Sequence, residues 1–213
     1  MRRFLGLALL ALSISIATPA RADIVAVSSI TTPSSDGTQV RMGHWLADKF
    51  ITGSNLNLLT LEAIKIQFVA SSGTGGYFVD IYTDNSGVPG SLFAALTGST
   101  NPNTAGIFTY TPSGTVTLAA STTYWMVEGS TTSTANYQPT YITTPNPFVK
   151  NGWTITGNYT FTTNSGSSWG GGASDGPTQY SIVVVPEPAT FAGIAGVAGL
   201  GAAGYLRRRR GTA

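Results

Sequence analysis

The chain has 213 residues, with 11 Lys and Arg, 9 Asp and Glu, one His and no Cys, for a formal charge of +2. No disulfide can staple it, and a lone histidine, His44, argues against His/Cys zinc sites and most hydrolases that need a positioned imidazole. The positive charge sits at the ends: without Arg2, Arg3 and Arg21 in front, and without Glu187 and Arg207 to Arg210 behind, residues 23–185 carry −4, which argues against nucleic acid as a partner.

The front of the chain reads as a targeting segment. Arg2 and Arg3 precede an apolar run from Phe4 to Ala17, Pro19 breaks it, and Ala20-Arg21-Ala22 forms an A-x-A cleavage box. Residues 1–22 are therefore expected to be a signal helix removed after Ala22. Residues 23–185 have the size of one domain with its own core. Their low charge and many Thr, Tyr, Phe and Val residues predict strands.

Strand signals follow in order. Ile24 to Ser29 is a short apolar strand, and Thr31 to Thr38 is a polar loop. Residues 42–50 carry Trp45, Leu46 and Phe50 and fit helix or strand. Residues 61–69 alternate, with Ile64, Ile66 and Phe68 on one face and Lys65 and Gln67 on the other. After a turn at Gly73 to Gly76, Tyr77, Val79 and Ile81 oppose Phe78, Asp80 and Tyr82. Asp84-Asn85-Ser86-Gly87 predicts a hairpin turn, because Asp and Asn bond their own backbone and Gly accepts positive φ. Short strands are expected over 91–97, 106–110, 114–119 and 122–128, with Tyr124, Met126 and Glu128 alternating with Trp125 and Val127. A strand restarts at Gly152-Trp153-Thr154-Ile155, a Gly/Ser loop holding Trp169 runs from Ser165 to Pro177, and Tyr180 to Val185 closes the domain. Many short strands with regular turns predict an all-β fold, an antiparallel, jelly-roll-like β-sandwich.

The tail, 186–213, has three parts in fixed order. Pro186-Glu187-Pro188 comes first. Ala189 to Leu206 then gives 18 apolar or small residues, which as a helix would span roughly 27 Å and just cross a bilayer core. Arg207, Arg208, Arg209 and Arg210 end it, and such cations prefer the cytoplasmic side. Gly193, Gly196, Gly199, Gly201 and Gly204 make the run a weak permanent anchor. This order resembles the PEP-CTERM sorting signal of exported proteins of Gram-negative-type bacteria. The resemblance implies a partner, an exosortase-type membrane enzyme that reads and cuts the tail, and a transient stay at the inner membrane before release to the cell surface or outside. A plain C-terminal anchor shares the topology.

The middle resembles the choice-of-anchor R domain, an extracellular module. The residues that carry this are Tyr82 to Ser91, Leu96-Thr97-Gly98, Thr104-Ala105-Gly106, Phe108 to Thr111, Leu118, Thr122 to Trp125, Gly152-Trp153 and Ser168-Trp169. The likeness implies architecture and location, and no activity.

Candidate chemistry is sparse. His44 beside Trp45 fits a boundary residue better than a base. Gly172-Ala173-Ser174-Asp175-Gly176 matches G-x-S-x-G but lacks the strand before and helix after that a nucleophile elbow needs. Asp80, Asp84 and Asn85 could offer oxygens to calcium, though the spacing fails the EF-hand pattern and a hairpin turn explains Asp84 and Asn85. Asp80, Asp84 and Glu128 are the mid-domain carboxylates for glycoside chemistry, and solvation on strand surfaces explains each. Trp169 stands apart: its Ser and Gly neighbours offer no strand to bury it, so it is the candidate ligand contact, with packing over an end of the sandwich as the plainer reading. The sequence therefore predicts no enzyme, no cofactor and no metal. It predicts a surface or extracellular-matrix protein with a structural or adhesive role, or else a β-sandwich that binds extracellular polysaccharide.

Overall fold

The computed structural model describes residues 22–31, 37–143, 146–170 and 176–186. The expected signal helix, the transmembrane run, and sorting residues Glu187, Pro188 and Arg207 to Arg210 lie outside them, as do cleavage residue Ala20 and Gly172 to Asp175. Among the described residues no helix is long and apolar enough to cross a membrane.

The described strands are β1 (Ile24–Ser28), β2 (Trp45–Ile51), β3 (Thr60–Phe68), β4 (Tyr77–Asn85), β5 (Val88–Thr97), β6 (Gly106–Pro112), β7 (Val116–Thr117), β8 (Thr123–Ser130), β9 (Phe148–Lys150), β10 (Trp153–Thr162) and β11 (Tyr180–Val185). All pair antiparallel, in the order β1-β11-β3-β6-β5-β4-β8-β2-β10-β9, with β7 on β3. The sheet curls into a nearly closed barrel. At the seam Asn151 Nδ2 donates to the carbonyls of Val25 and Ala26, at 3.2 and 3.5 Å. Near closure leaves few unpaired backbone edges. The all-β antiparallel class expected from the sequence is thus met, and β5–β6 pairing (Leu96 with Pro112, Thr97 with Thr111) joins the strands into one sheet.

Alternation decides which residues form the core. Tyr77, Val79 and Ile81 of β4, Ile64, Ile66 and Phe68 of β3, and Tyr124 and Met126 of β8 point inward and are buried. These are the apolar sets that the period of two marks in the sequence. Phe50 stacks between Tyr124 and Trp153, with ring centroids 5.9 and 6.2 Å away. Residues 42–50, open between helix and strand, form β2. Leu46, Asp48 and Phe50 face in, while Trp45, Ala47 and Lys49 face out, and burial of both Ala47 and Asp48 blurs the pattern. Hairpin β4–β5 closes on Ser86 and Gly87, whose φ values of 55° and 92° are the two positive angles a type I′ turn requires.

Candidate functional site

A second apolar cluster lies outside the barrel, on the face opposite the core. Ala47 of β2 and Trp125 and Val127 of β8 are buried there, with Trp45, Phe78, Tyr82 and Trp169 packed around them. Each except Trp169, which comes from a loop, belongs to the outward set of its strand. Trp45 and Phe78 meet edge to face, 4.9 Å between centroids and 84° between planes. They fit because position 129 is glycine: a Cβ there would lie 2.4 Å from Phe78 and 2.6 Å from Trp45.

Trp169 reaches this face through a braced loop. Thr162 Oγ1 donates to Asn164 Oδ1 at 2.6 Å, Ser168 N donates to the same oxygen at 3.0 Å, and Asn164 Nδ2 donates to Ser168 Oγ at 2.8 Å. Ser165 N bonds the Gly43 carbonyl at 3.3 Å, and Gly170 N bonds that of Phe161 at 3.1 Å. Both ends of the loop are therefore tied to the barrel. Gly166 (φ +83°) passes over Trp45, where a Cβ would come within 2.8 Å of the ring.

Between this loop and the β4–β5 hairpin opens a cleft of about 670 Å³. Trp169, Ser167 and Ser168 line one side, and Thr83, Asp84 and Ser91 the other. Asp84 is committed to structure: its Oδ1 accepts from Trp125 Nε1 at 2.8 Å, and its Oδ2 from Gly87 N at 3.2 Å. Those bonds support the turn reading of Asp84. Asp80, on the same outer face as Phe78 and Tyr82, has its carboxyl pushed up to about 6 by burial, partly offset by the Leu96 backbone. Lys49 places its ammonium 5.7 Å from the Trp125 ring centroid. The cleft therefore offers an apolar ring edge beside hydroxyls, amides and one engaged carboxylate. No group of three or more metal-ligating side chains occurs among the described residues.

Trp169 is half-buried: it packs against Ala47, Trp125 and Val127 of β2 and β8 and lines the cleft wall. Trp125 and Trp45 join it, while Trp153 is fully buried in the barrel. Asn164, the brace of the loop, carries no sequence signal beyond turn propensity. His44 is a boundary residue, half-buried, stacked on Phe161 at 5.4 Å and 24°.

Glu128 corrects the sequence reading. It is not a solvated strand-surface carboxylate; it points into the barrel and is 0% exposed. Asp48, which carries no signal in the sequence that singles it out, is 0% exposed as well. Thr178 donates to it twice, from N at 3.1 Å and from Oγ1 at 2.6 Å. Tyr77 donates its hydroxyl to Glu128 Oε2, while Glu128 Oε1 and the buried Tyr180 hydroxyl have no hydrogen-bond partner among the described residues. Burial raises Asp48 to about 7, against the Thr178 bonds, and raises Glu128 to about 8, with the Asp48 charge adding to the effect. The pair is sealed among Tyr77, Tyr180 and apolar side chains, so it has the chemistry of a core feature.

Compared with known proteins, the chain matches no family model, no curated protein and no solved structure.

Proposed function

We propose that this is an exported, non-enzymatic adhesive protein whose β-domain holds extracellular polysaccharide. The observation that carries this reading is Trp169, set by a loop tied at both ends at the wall of a cleft lined with Ser, Thr and Asn. A pyranose has an apolar C–H face and a rim of hydroxyls. An indole packs against the first, and hydroxyl and amide groups bond the second. A preformed wall also spares ligand binding the entropy of ordering a loop. The carboxylates that do come together, Asp48 and Glu128, lie inside the barrel away from the cleft, which favours holding over hydrolysis.

The rest of the reading comes from the two ends of the chain. The A-x-A box at Ala20 and Ala22 supports export. Pro186-Glu187-Pro188, the apolar run and Arg207 to Arg210 support sorting by an exosortase-type enzyme at the inner membrane, then residence at the cell surface or in the matrix. The barrel itself fits a flattened, jelly-roll-like sandwich, since β5 and β6 share only two residue pairs.

The test is a glycan array probed with residues 23–185. Binding to one or more polysaccharide fragments is expected, with at least about a tenfold loss in Trp169→Ala and partial retention in Trp169→Tyr. Undiminished binding by a folded Trp169→Ala variant, or no binding to any glycan, would remove the cleft from function.

A further inference from the structure

A second cleft, of about 350 Å³, opens beside β10. It is lined by Gln39, Arg41, His44, Tyr141, Tyr159 and Phe161, with Gly37 and Thr38. His44 and Phe161 face this one, whereas Trp45, next in sequence to His44, belongs to the aromatic face.

The charge of the lining is what sets it apart. Residues 23–185 contain four Lys and Arg and one His, against eight Asp and Glu. One of those four cations, Arg41, and the only histidine share this cleft, and among the described residues its lining holds no carboxylate. Chance placement in a domain of charge −4 would rather bring acids to a cleft wall. His44 is held in place: Nδ1 donates to the Gln39 carbonyl at 2.8 Å, and the ring stacks on Phe161. That bond fixes the proton on Nδ1 and leaves Nε2 outside it. Arg41 is exposed, and its backbone exchanges two bonds with His44, N to O at 3.1 Å and O from N at 3.0 Å. The guanidinium and imidazole are thus carried on one tight turn. A planar guanidinium grips a carboxylate through two parallel hydrogen bonds, and Phe161, Tyr141 and Tyr159 supply ring faces beside it.

We infer that this cleft binds the carboxylate of an acidic sugar, so the polysaccharide class is uronate-bearing. The inference rests on the adhesive reading above and adds the class of glycan. A neutral glycan would use the Trp169 cleft alone. A uronate has, in addition, an anion, which the Arg41 guanidinium can meet, whereas the Trp169 cleft presents the Asp84 carboxylate.

The experiment uses residues 23–185 with oligogalacturonate and with the same oligomer methyl-esterified, which keeps the rings and removes the charge. Affinities by calorimetry at low and high salt, and NMR shifts on adding galacturonate, acetate or inorganic phosphate, form the readouts. The free acid is expected to bind about tenfold tighter than the ester, with the gap closing at high salt. Arg41→Gln, at an exposed position, is expected to abolish that gap and leave ester binding intact. Trp169→Ala is expected to weaken both oligomers. Equal affinity for acid and ester in the wild type overturns the inference and leaves the adhesive reading standing. Binding of neither oligomer, with no shift at Arg41 or His44, overturns both for this glycan class. Acetate or phosphate shifting Arg41 and His44 as strongly as galacturonate would reduce the cleft to a general anion site and overturn the assignment to a sugar.

Discussion

Asp48 and Glu128 make stability depend on pH in a direction opposite to that of most domains. Both carboxyls have folded values raised above the ordinary 3.8 and 4.5, to about 7 and about 8. The folded state therefore holds protons that the unfolded chain has released. Stability is full below about pH 4, falls as pH rises through the window up to 7–8, and levels off above it. Within the window each group costs about 1.4 kcal/mol per pH unit, so the pair removes several kcal/mol in all. That is a large part of the 5–15 kcal/mol typical of a domain. Glu128→Gln keeps an oxygen to accept the Tyr77 hydroxyl and removes one titration. Urea melts of residues 23–185 at pH 5, 7 and 9 should show the wild type weakening with pH. The Glu128→Gln variant should match it near pH 5, exceed it at pH 9, and have about half its slope between. A wild-type stability that is flat or rising from pH 5 to 8, or a variant with the parent's slope, would refute the burial of an ionisable pair.

Gly129→Ala should destabilise by about 1–3 kcal/mol, because the new methyl lands 2.4 Å from Phe78 and 2.6 Å from Trp45; a midpoint unchanged in thermal melts would mean those rings move freely. Asp84→Ala should cost about 1–2 kcal/mol by freeing the Trp125 indole and the Gly87 amide, and Asp84→Asn should recover part of it, since the amide oxygen still accepts one of the two bonds. Protein recovered from its native host should begin at Asp23 and end near Pro188 by intact mass. A species retaining Arg207 to Arg210 would leave a plain anchor in place of a sorting signal.

Much of the strand pattern was legible in the sequence because alternation and turn chemistry are local. Ile64-Lys65-Ile66-Gln67-Phe68 and Tyr77 to Tyr82 declare their inner and outer faces without reference to any partner strand. Asp84 to Gly87 declares a hairpin because Asp can bond its own turn and Gly tolerates positive φ. Trp169 was legible as an exception, a large ring with no strand of its own. What the tertiary structure decided is which side of each strand meets which neighbour. Alternation separates Phe78 from Tyr77, but only pairing of β4 with β8 and β8 with β2 assembles Phe78, Trp125 and Trp45 into one outer face. Glu128 read as a surface carboxylate because alternation put it with Tyr124 and Met126 while its charge suggested solvent; the curl of the sheet enclosed it, and Asp48 with it. Arg41 and His44 became a cleft only when β10 brought Phe161 and Tyr159 beside them. Faces are written in local period, and burial depends on closure, a property of all the strands at once.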